Sequence, residues 1–442
     1  MARKSLLLDF GASRIKAALL DNGKIFNIKS YDSVQASLNT GIRYEIDVFA
    51  IKNKFLSILK EYCKDEKLSS IFISSEMHGF VLLDKAGSPI SNYVSWKDER
   101  SLEIIDRTSS FNMLKEKLGE SFFRKTGMKA RACYPIFNIF HMIRKKEIYG
   151  YCKIVSLPEW LICSCGNNVF NVSHDTMSVG LGFYNIYRKS LDNDLVNAVT
   201  DNKIKLAFND VYSEVKVGGY ITINGDDIPI FCGLGDYQCA VLGAGNDESS
   251  ISVNLGTGSQ IGILSDENED KDTEKRPFFD NKLLEVITHI PSGRALNEYM
   301  RFLQEVNPLV DFWKRLSDVT IDEMESSKIN INLSIFTSAW GYKDGGSITK
   351  IKEGEFKLNS YLASLLRGYV TQYVDAIRVI SPSPKVNKII LSGGIATKLR
   401  NIKLYLSKLT GYDVFYQKIH THGIFEETLV GLKIVSEKIG IV

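Results

Sequence analysis

The chain opens on an apolar run, Leu6-Leu7-Leu8, breaks at Gly11-Ala12-Ser13 and becomes apolar again over residues 15–20. This pattern predicts a buried strand, a tight turn and a returning strand. Asn22-Gly23 is a hairpin signal into a third strand at residues 25–28. Between Val48 and Tyr62 the apolar positions Val48, Ile51, Phe55, Leu56, Leu59 and Tyr62 recur at helical spacing, and Ile71-Phe72-Ile73 predicts another buried strand.

The second half begins as the first does. Ile251-Ser252-Val253 reads as a strand, Gly256-Thr257-Gly258 as a turn and Ile261-Gly262-Ile263-Leu264 as a returning strand. Asp9-Phe10-Gly11-Ala12-Ser13 lines up with Asn254-Leu255-Gly256-Thr257-Gly258, keeping a polar residue, an apolar residue and a glycine in register. The pattern is that of a divergent duplication. It predicts an α/β protein with two similar lobes facing one another across a cleft, ligands sitting beyond the strand ends. The polar stretch 246–249 marks the expected boundary, dividing the chain into domains 1–246 and 247–442.

A length of 442 residues suits two substantial cores, and 44% hydrophobic with 24% charged residues is the composition of a globular chain. The 55 Lys and Arg nearly balance the 52 Asp and Glu and are spread along the sequence, which argues against a nucleic-acid surface. Asp9 interrupts the first apolar run before a signal-peptide core forms, and no later run approaches a membrane span. The 7 cysteines include no C-x-x-C pair. A cytoplasmic protein with free thiols, no nucleic-acid or membrane partner, is the expectation. Cys163 and Cys165 have no ligand-spaced companions and read as small buried hydrophobes.

Glycine turns let backbone N–H groups converge on an anion, because a side chain would block close approach and resist positive φ. Gly11-Ala12-Ser13 and Gly256-Thr257-Gly258 are therefore candidate phosphate turns. Asp9, at a strand end, could anchor Mg²⁺ through coordinated water or simply cap its own turn. Lys16 could reach a phosphate or be a solvated strand lysine. Residues 228–236 run from a buried strand through Gly233-Leu234-Gly235 to Asp236, an acid opening a helix. Such a carboxylate can take the proton of an attacking hydroxyl, or serve only as an N-cap. A strand at residues 386–391 ends in Ser392-Gly393-Gly394, leaving room for a base or ribose on the backbone. Met77-His78-Gly79 and Trp96-Lys97-Asp98-Glu99-Arg100 set polar donors beside an aromatic plate, a combination suited to sugars.

Taken in this order, these segments resemble the FGGY family of carbohydrate kinases, with likeness over nearly the whole chain. The resemblance implies the duplicated ribonuclease-H-like fold of the actin, hexokinase and Hsp70 group. It implies ATP and Mg²⁺ as cofactors, Asp236 as catalytic base and Asp9 at the metal. Asp9 to Lys16 is similar to the family's first phosphate motif, Asn254 to Gln260 to its second, and Leu391 to Ala396 to its adenosine motif. Met77, His78 and Gly79 look like the sugar segment of the xylulokinase branch, and Trp96, Asp98 and Arg100 match a W-x-D-x-R pattern shared with gluconokinase-like members. Asp236-Tyr237-Gln238 resembles sedoheptulokinase-like members, which places Tyr237 and Gln238 at the substrate. The chain departs from the family pattern at Glu76, where Gln is usual, at Tyr237, where Asn is common, and at Asn138, His141, Tyr342 and Ile395. The expected function is phosphorylation of a small sugar, a ketose of xylulose or sedoheptulose type. A gluconate-type kinase, a non-catalytic actin-like ATP-binding module and a sugar sensor are the alternatives. A homodimer is an assembly such a chain could form.

Overall fold

The computed structural model describes residues 4–64, 66–201, 203–265, 273–336, 339–417 and 426–441. It divides into two compact units. The first comprises Met1–Gly243, Lys275–Leu283 and Phe425–Val442, and the second Ala244–Glu274 and Leu284–Ile424.

The first unit is built on a sheet in the order Val217–Ile223, Asp226–Phe231, Leu68–Ser75, Lys4–Phe10, Arg14–Asp21, Lys24–Asp32, with the short strand Leu234–Gly235 also beside Leu68–Ser75. Leu6, Leu7 and Leu8 are fully buried, as expected of a strand covered on both faces. Lys4–Phe10 is antiparallel to Arg14–Asp21 and parallel to Leu68–Ser75. The predicted hairpin is present: Asn22 and Gly23 both take positive φ, 48° and 71°, the conformation that suits the right-handed twist of paired strands.

The helix Val48–Tyr62 starts on Asp47, whose side chain accepts from the Phe49 N–H at 2.9 Å. Val48, Ile51, Phe55, Leu59 and Tyr62 face the core as predicted. Leu56 does not: it stands 36% exposed while Ile58 is buried in its place, since 55, 58, 59 and 62 share one helical stripe and 56 lies about 100° off it. The segment 80–93 folds back on itself through bridges Phe80–Val94 and Leu83–Pro89, but its strand Val81–Leu83 pairs mainly with Tyr151–Val155.

The second unit carries strands in the order Leu283–Ile290, Ser259–Ser265, Ser250–Leu255, Lys388–Ser392, Asp413–Tyr416. The long helix Leu358–Ile380 packs Leu362, Leu366, Tyr369, Val370 and Ile377 into its core. The duplication is visible in the registers. Asp9 lies opposite Lys16 on one side and Ser74 on the other, and Asn254 lies opposite Gln260 and Ser392. The same tie closes both copies: the Ser74 hydroxyl donates to Asp9 Oδ1 at 3.0 Å, and Asn254 Nδ2 donates to the Ser392 hydroxyl at 3.1 Å.

The last helix, Glu427–Lys438, belongs to the first unit and packs on the helix Asp236–Gly243. Their backbones meet. A Cβ on Gly243 would overlap the Glu427 carbonyl oxygen, and one on Gly431 would overlap the Cys239 carbonyl. Only hydrogen fits at either crossing point, which is what lets both helices lie flush. Gly431→Ala should therefore cost about 1–3 kcal/mol by overpacking, read as a drop of several degrees in Tm by scanning calorimetry. An unchanged Tm would mean that the two helices are not in backbone contact.

Candidate active site

Asp9, Glu76 and Asp236 stand at the carboxyl ends of three neighbouring strands. Asp9 is near the end of Lys4–Phe10, Glu76 follows Leu68–Ser75, and Asp236 follows Leu234–Gly235, which runs parallel to Leu68–Ser75 with Gly235 opposite Ser75. The Glu76 N–H reaches back to the Phe10 carbonyl at 3.1 Å, so the chain turns off the sheet beside Asp9. Carboxyl ends of parallel strands in open α/β sheets are where ligands sit.

Each acid is held. Asp9 is 5% exposed; its Oδ1 accepts from Ser74 and its Oδ2 from the Thr428 hydroxyl at 2.8 Å. Burial raises its carboxyl above the ordinary value, opposed by Lys16, Thr428 and Ser74. Glu76 accepts from the Tyr93 hydroxyl at 2.7 Å through Oε1, and burial pushes it up to about 7. Asp236 is half-buried, and the Tyr237 N–H donates to its Oδ1 at 2.7 Å. Burial first, then the charge of Asp9, push it up to about 7, against the pull of that N–H and of Arg276. Burial is the leading cause of the rise in all three, and in Asp236 the charges of Asp9 and Glu76 add to it because they oppose its ionisation.

Lys16 is not free to swing. It forms an ion pair with Glu426, just before the last helix. Burial lowers its affinity for a proton, but Glu426, Asp9 and Glu427 more than offset that and raise it. The last helix thus supplies Thr428 to Asp9, and the residue preceding it supplies Glu426 to Lys16.

The residues nominated for the sugar divide into two groups. Met77 is buried, while His78 is half-buried at φ 66°, stacked on Tyr134 at 4.5 Å with Nδ1 bonded to the Gly180 carbonyl at 3.0 Å. Gly79 is required, since a Cβ there would overlap the Tyr93 hydroxyl. Trp96 is 41% exposed, and its indole and the Ser95 hydroxyl lie near the Glu76 carboxylate. Asp98 and Arg100 instead turn on each other, both buried. Arg100 Nε and Nη2 donate to the two Asp98 oxygens at 2.8 Å each, and Nη2 also to Glu45 at 2.6 Å. Asn138 braces the same turn, its Nδ2 donating to the Asp98 carbonyl at 2.9 Å. In this arrangement the three shape the loop that carries Trp96. Tyr237 and Gln238 are buried on the Asp236 helix. Arg276 lies 5.9 Å from the Tyr237 ring, and Gln238 Nε2 donates to the Pro277 carbonyl at 3.3 Å.

The glycine turns work differently from the expectation. Gly11, Gly256 and Gly258 are not in the left-handed region, and the Gly11 N–H is spent on the Arg14 carbonyl at 3.2 Å. A Cβ on Gly258 would meet nothing within 4 Å, whereas one on Gly11 would press on the Arg14 carbonyl at 3.0 Å. Thr257 and Gly258 are exposed. The Gly256 and Thr257 carbonyls accept from the N–H groups of Gly293 and Arg294 at 3.0 and 2.9 Å. Because a trans peptide sets N–H opposite C=O, the Thr257 and Gly258 amides point away from that helix, together, as an anion cradle would need. Gly393 does adopt φ 86°, and its missing side chain admits the Leu255 carbonyl, 2.6 Å from where a Cβ would stand. Gly394 beyond it is exposed with nothing in reach of a Cβ. A cavity of about 490 Å³ in the second unit, lined by Asn330, Trp340, Arg367 and Gln372 among others, contains none of the nominated residues.

Sequence reasoning missed Glu426, Thr428, Tyr93 and Arg276 as members of the site, and noted Glu76 only as a departure. Glu426-Glu427-Thr428 opening an apolar helical stretch was the available signal. All seven cysteines are free, and burial pushes the Cys232 thiol up to about 12. Among the described residues no helix is long and apolar enough to cross a membrane, and no three His, Cys, Asp or Glu are grouped to hold a metal.

Residues 5–243 match the N-terminal domain of the FGGY family of carbohydrate kinases, and the chain belongs to that family. Glycerol kinase 2 of Saccharolobus solfataricus is 25% identical over 295 residues, 64% of this chain and 56% of that protein. The chain thus spans about half the length of the curated relatives it matches. Gluconate kinase from Lactobacillus acidophilus superposes with a TM-score of 0.84 at 18% identity, covering 100% of this chain and 90% of that one. A ligand-bound xylulose kinase from the same organism gives 0.81 at 18% identity with the same coverage. Plasmodium falciparum glycerol kinase with ADP gives 0.75 at 18% identity, again over 100% and 90%. The expected duplicated ribonuclease-H-like α/β fold is the fold of these kinases.

The raised Asp236 carries a stability consequence. A carboxyl whose value in the fold lies above its ordinary one stabilises the fold fully at low pH, and that contribution is lost as pH rises through about 7. Asp236→Asn removes the loss, so its Tm should exceed the wild type's by at least about 2 °C at pH 8, with the gain shrinking toward pH 5. A variant less stable than wild type at pH 8 would show that the carboxylate is not held out of water.

Proposed function

We propose that the protein is an ATP-dependent kinase that transfers the γ-phosphoryl group to a hydroxyl of a small sugar, preferably a ketose of xylulose or sedoheptulose type. The observation that carries this reading is Asp236: a carboxyl raised to about 7, at a strand end, flanked by Asp9 and Glu76 and near the segment Met77 to Gly79. A base poised near neutral pH is matched to accepting a hydroxyl proton. With Oδ1 engaged by the Tyr237 N–H, the proton of the attacking hydroxyl goes to Oδ2. Burial first, and then the neighbouring negative charges of Asp9 and Glu76, make Asp236 a stronger base than a solvated aspartate.

The remaining residues take supporting roles. Trp96 offers an exposed flat face to sugar C–H groups, with Met77, His78 and Gly79 beside it and Tyr237 and Gln238 completing the acceptor site from the Asp236 helix. The Arg100–Asp98 pair holds the Trp96 loop in place. The turn Gly11-Ala12-Ser13 with Lys16 in the first domain, 1–246, and Thr257, Gly258, Gly393 and Gly394 in the second, 247–442, are assigned to the nucleotide. Mg²⁺ fits Asp9: an oxygen ligand at a strand end suits an ion that keeps most of its waters. When bound, it would neutralise charge on the phosphates. Family membership and the likeness to the Plasmodium glycerol kinase solved with ADP support ATP as donor.

A gluconate-type acceptor is the second reading, favoured by the TM-score of 0.84 to gluconate kinase. A coupled ADP-release assay with D-xylulose, sedoheptulose, glycerol and D-gluconate separates the two. In that assay Asp236→Ala should lower kcat by about 10³-fold or more while nucleotide binding, followed by calorimetry, changes little. Retained turnover in this variant removes Asp236 from the role. For the wild type, kcat/KM should fall as pH drops below about 7, following loss of the ionised base; a rate that rises on acidification would refute a carboxylate base.

A further inference from the structure

We infer that Glu76 selects the acceptor: its carboxylate receives a hydroxyl of a neutral sugar and turns away acceptors that carry a carboxylate of their own. The inference rests on the reading that the acceptor binds beside Asp236.

Glu76 is 6% exposed, yet only one of its oxygens is engaged. Oε1 accepts from Tyr93, whereas Oε2 is buried with no hydrogen bond of good geometry. An unsatisfied buried carboxylate oxygen is costly, and native structures retain few of them without a use. Its position says what the use is. Glu76 is coupled by charge to Asp236 on one side and lies near the Trp96 indole and the Ser95 hydroxyl on the other. It therefore stands among the residues that would handle the reacting hydroxyl and the face of the sugar.

The local build prevents Glu76 from turning away. The Tyr93 ring occupies the space that a Cβ on Gly79 would take, so its hydroxyl is fixed in front of Oε1. The Glu76 N–H is tied to the Phe10 carbonyl. Besides Tyr93, the titratable groups coupled to it are Asp236, an acid, and Lys97, a cation; the ammonium of Lys97 lies 4.9 Å from the Tyr44 ring and 5.8 Å from that of Trp96. One cation faces two acids, so the place is negative when both are ionised, above about pH 7. A sugar hydroxyl donates to Oε2 and satisfies it. An aldonate carboxylate cannot donate and adds a like charge where water is scarce, which is discrimination by repulsion. A glutamine here, as is usual in the xylulokinase pattern, offers an N–H₂ donor and no charge, so the exchange Glu76→Gln isolates the effect.

The test measures kcat/KM for D-xylulose and D-gluconate in wild type and in Glu76→Gln, with binding of the same two compounds by calorimetry in the absence of ATP. The wild type should favour the neutral ketose by about 100-fold or more. Glu76→Gln should narrow the ratio by about tenfold or more, mainly by improving gluconate. A wild type that uses or binds gluconate as well as xylulose overturns the inference while leaving the kinase reading intact, and so does an unchanged ratio in a folded Glu76→Gln. A wild type that neither turns over nor binds any of the acceptors defeats the reading on which the inference stands.

Discussion

Crowding of negative charge at the end of one sheet is the constraint around which the first unit is organised. Asp9, Glu76 and Asp236 emerge from adjacent parallel strands, where strand spacing alone brings their side chains together. Left unopposed, such a group would be a serious cost to folding. Each acid is therefore met by a donor fixed elsewhere: Thr428 and Ser74 on Asp9, Tyr93 on Glu76, a backbone amide on Asp236. The donors make the cluster tolerable, yet they leave two of the three acids raised to about 7. What the donors leave unrelieved is mainly the loss of solvation on burial.

The pairing of the last helix with the Asp236 helix follows from that constraint. Thr428 can reach Asp9, and Glu426 can reach Lys16, only if the helix lies directly on its neighbour. Gly243 and Gly431 permit this approach by having nothing at the crossing points. Two glycines that look like ordinary helix weaknesses are thus conditions for the polar contacts at the strand ends.

Much of the architecture was legible in the sequence because it is written locally. Leu6-Leu7-Leu8, the Asn22-Gly23 turn and the stripe from Val48 to Tyr62 each carry their own periodicity, and the second copy repeats the first closely enough to be seen. Asp236 was legible too, as an acid between a buried strand and a helix. What escaped reading depends on contacts between distant segments. Nothing near Thr428 points to Asp9, 419 positions earlier. Glu76 differs from the usual residue by one group of atoms, and only the fold shows that the second oxygen is buried and unsatisfied. Asp98 and Arg100 illustrate the reverse case: a polar pattern that looked like ligand binding is largely spent on an internal ion pair. Leu56 was assigned inward on spacing alone, and the geometry of the stripe chose Ile58.

The first unit is discontinuous in sequence, with the second unit, itself interrupted by Lys275–Leu283 of the first, strung between its body and the helix Glu427–Lys438. Proteins emerge from the ribosome N-terminus first, and domains tend to fold as units during synthesis. For this chain the strands bearing Asp9, Glu76 and Asp236 are made long before the helix that supplies Thr428. The acidic cluster therefore waits, half-neutralised and with a bare helix face at its side, until some 180 further residues have been translated between Gly243 and Glu427. Completion of the first unit is thus gated by the segment that carries Thr428, which is made only after most of the second unit.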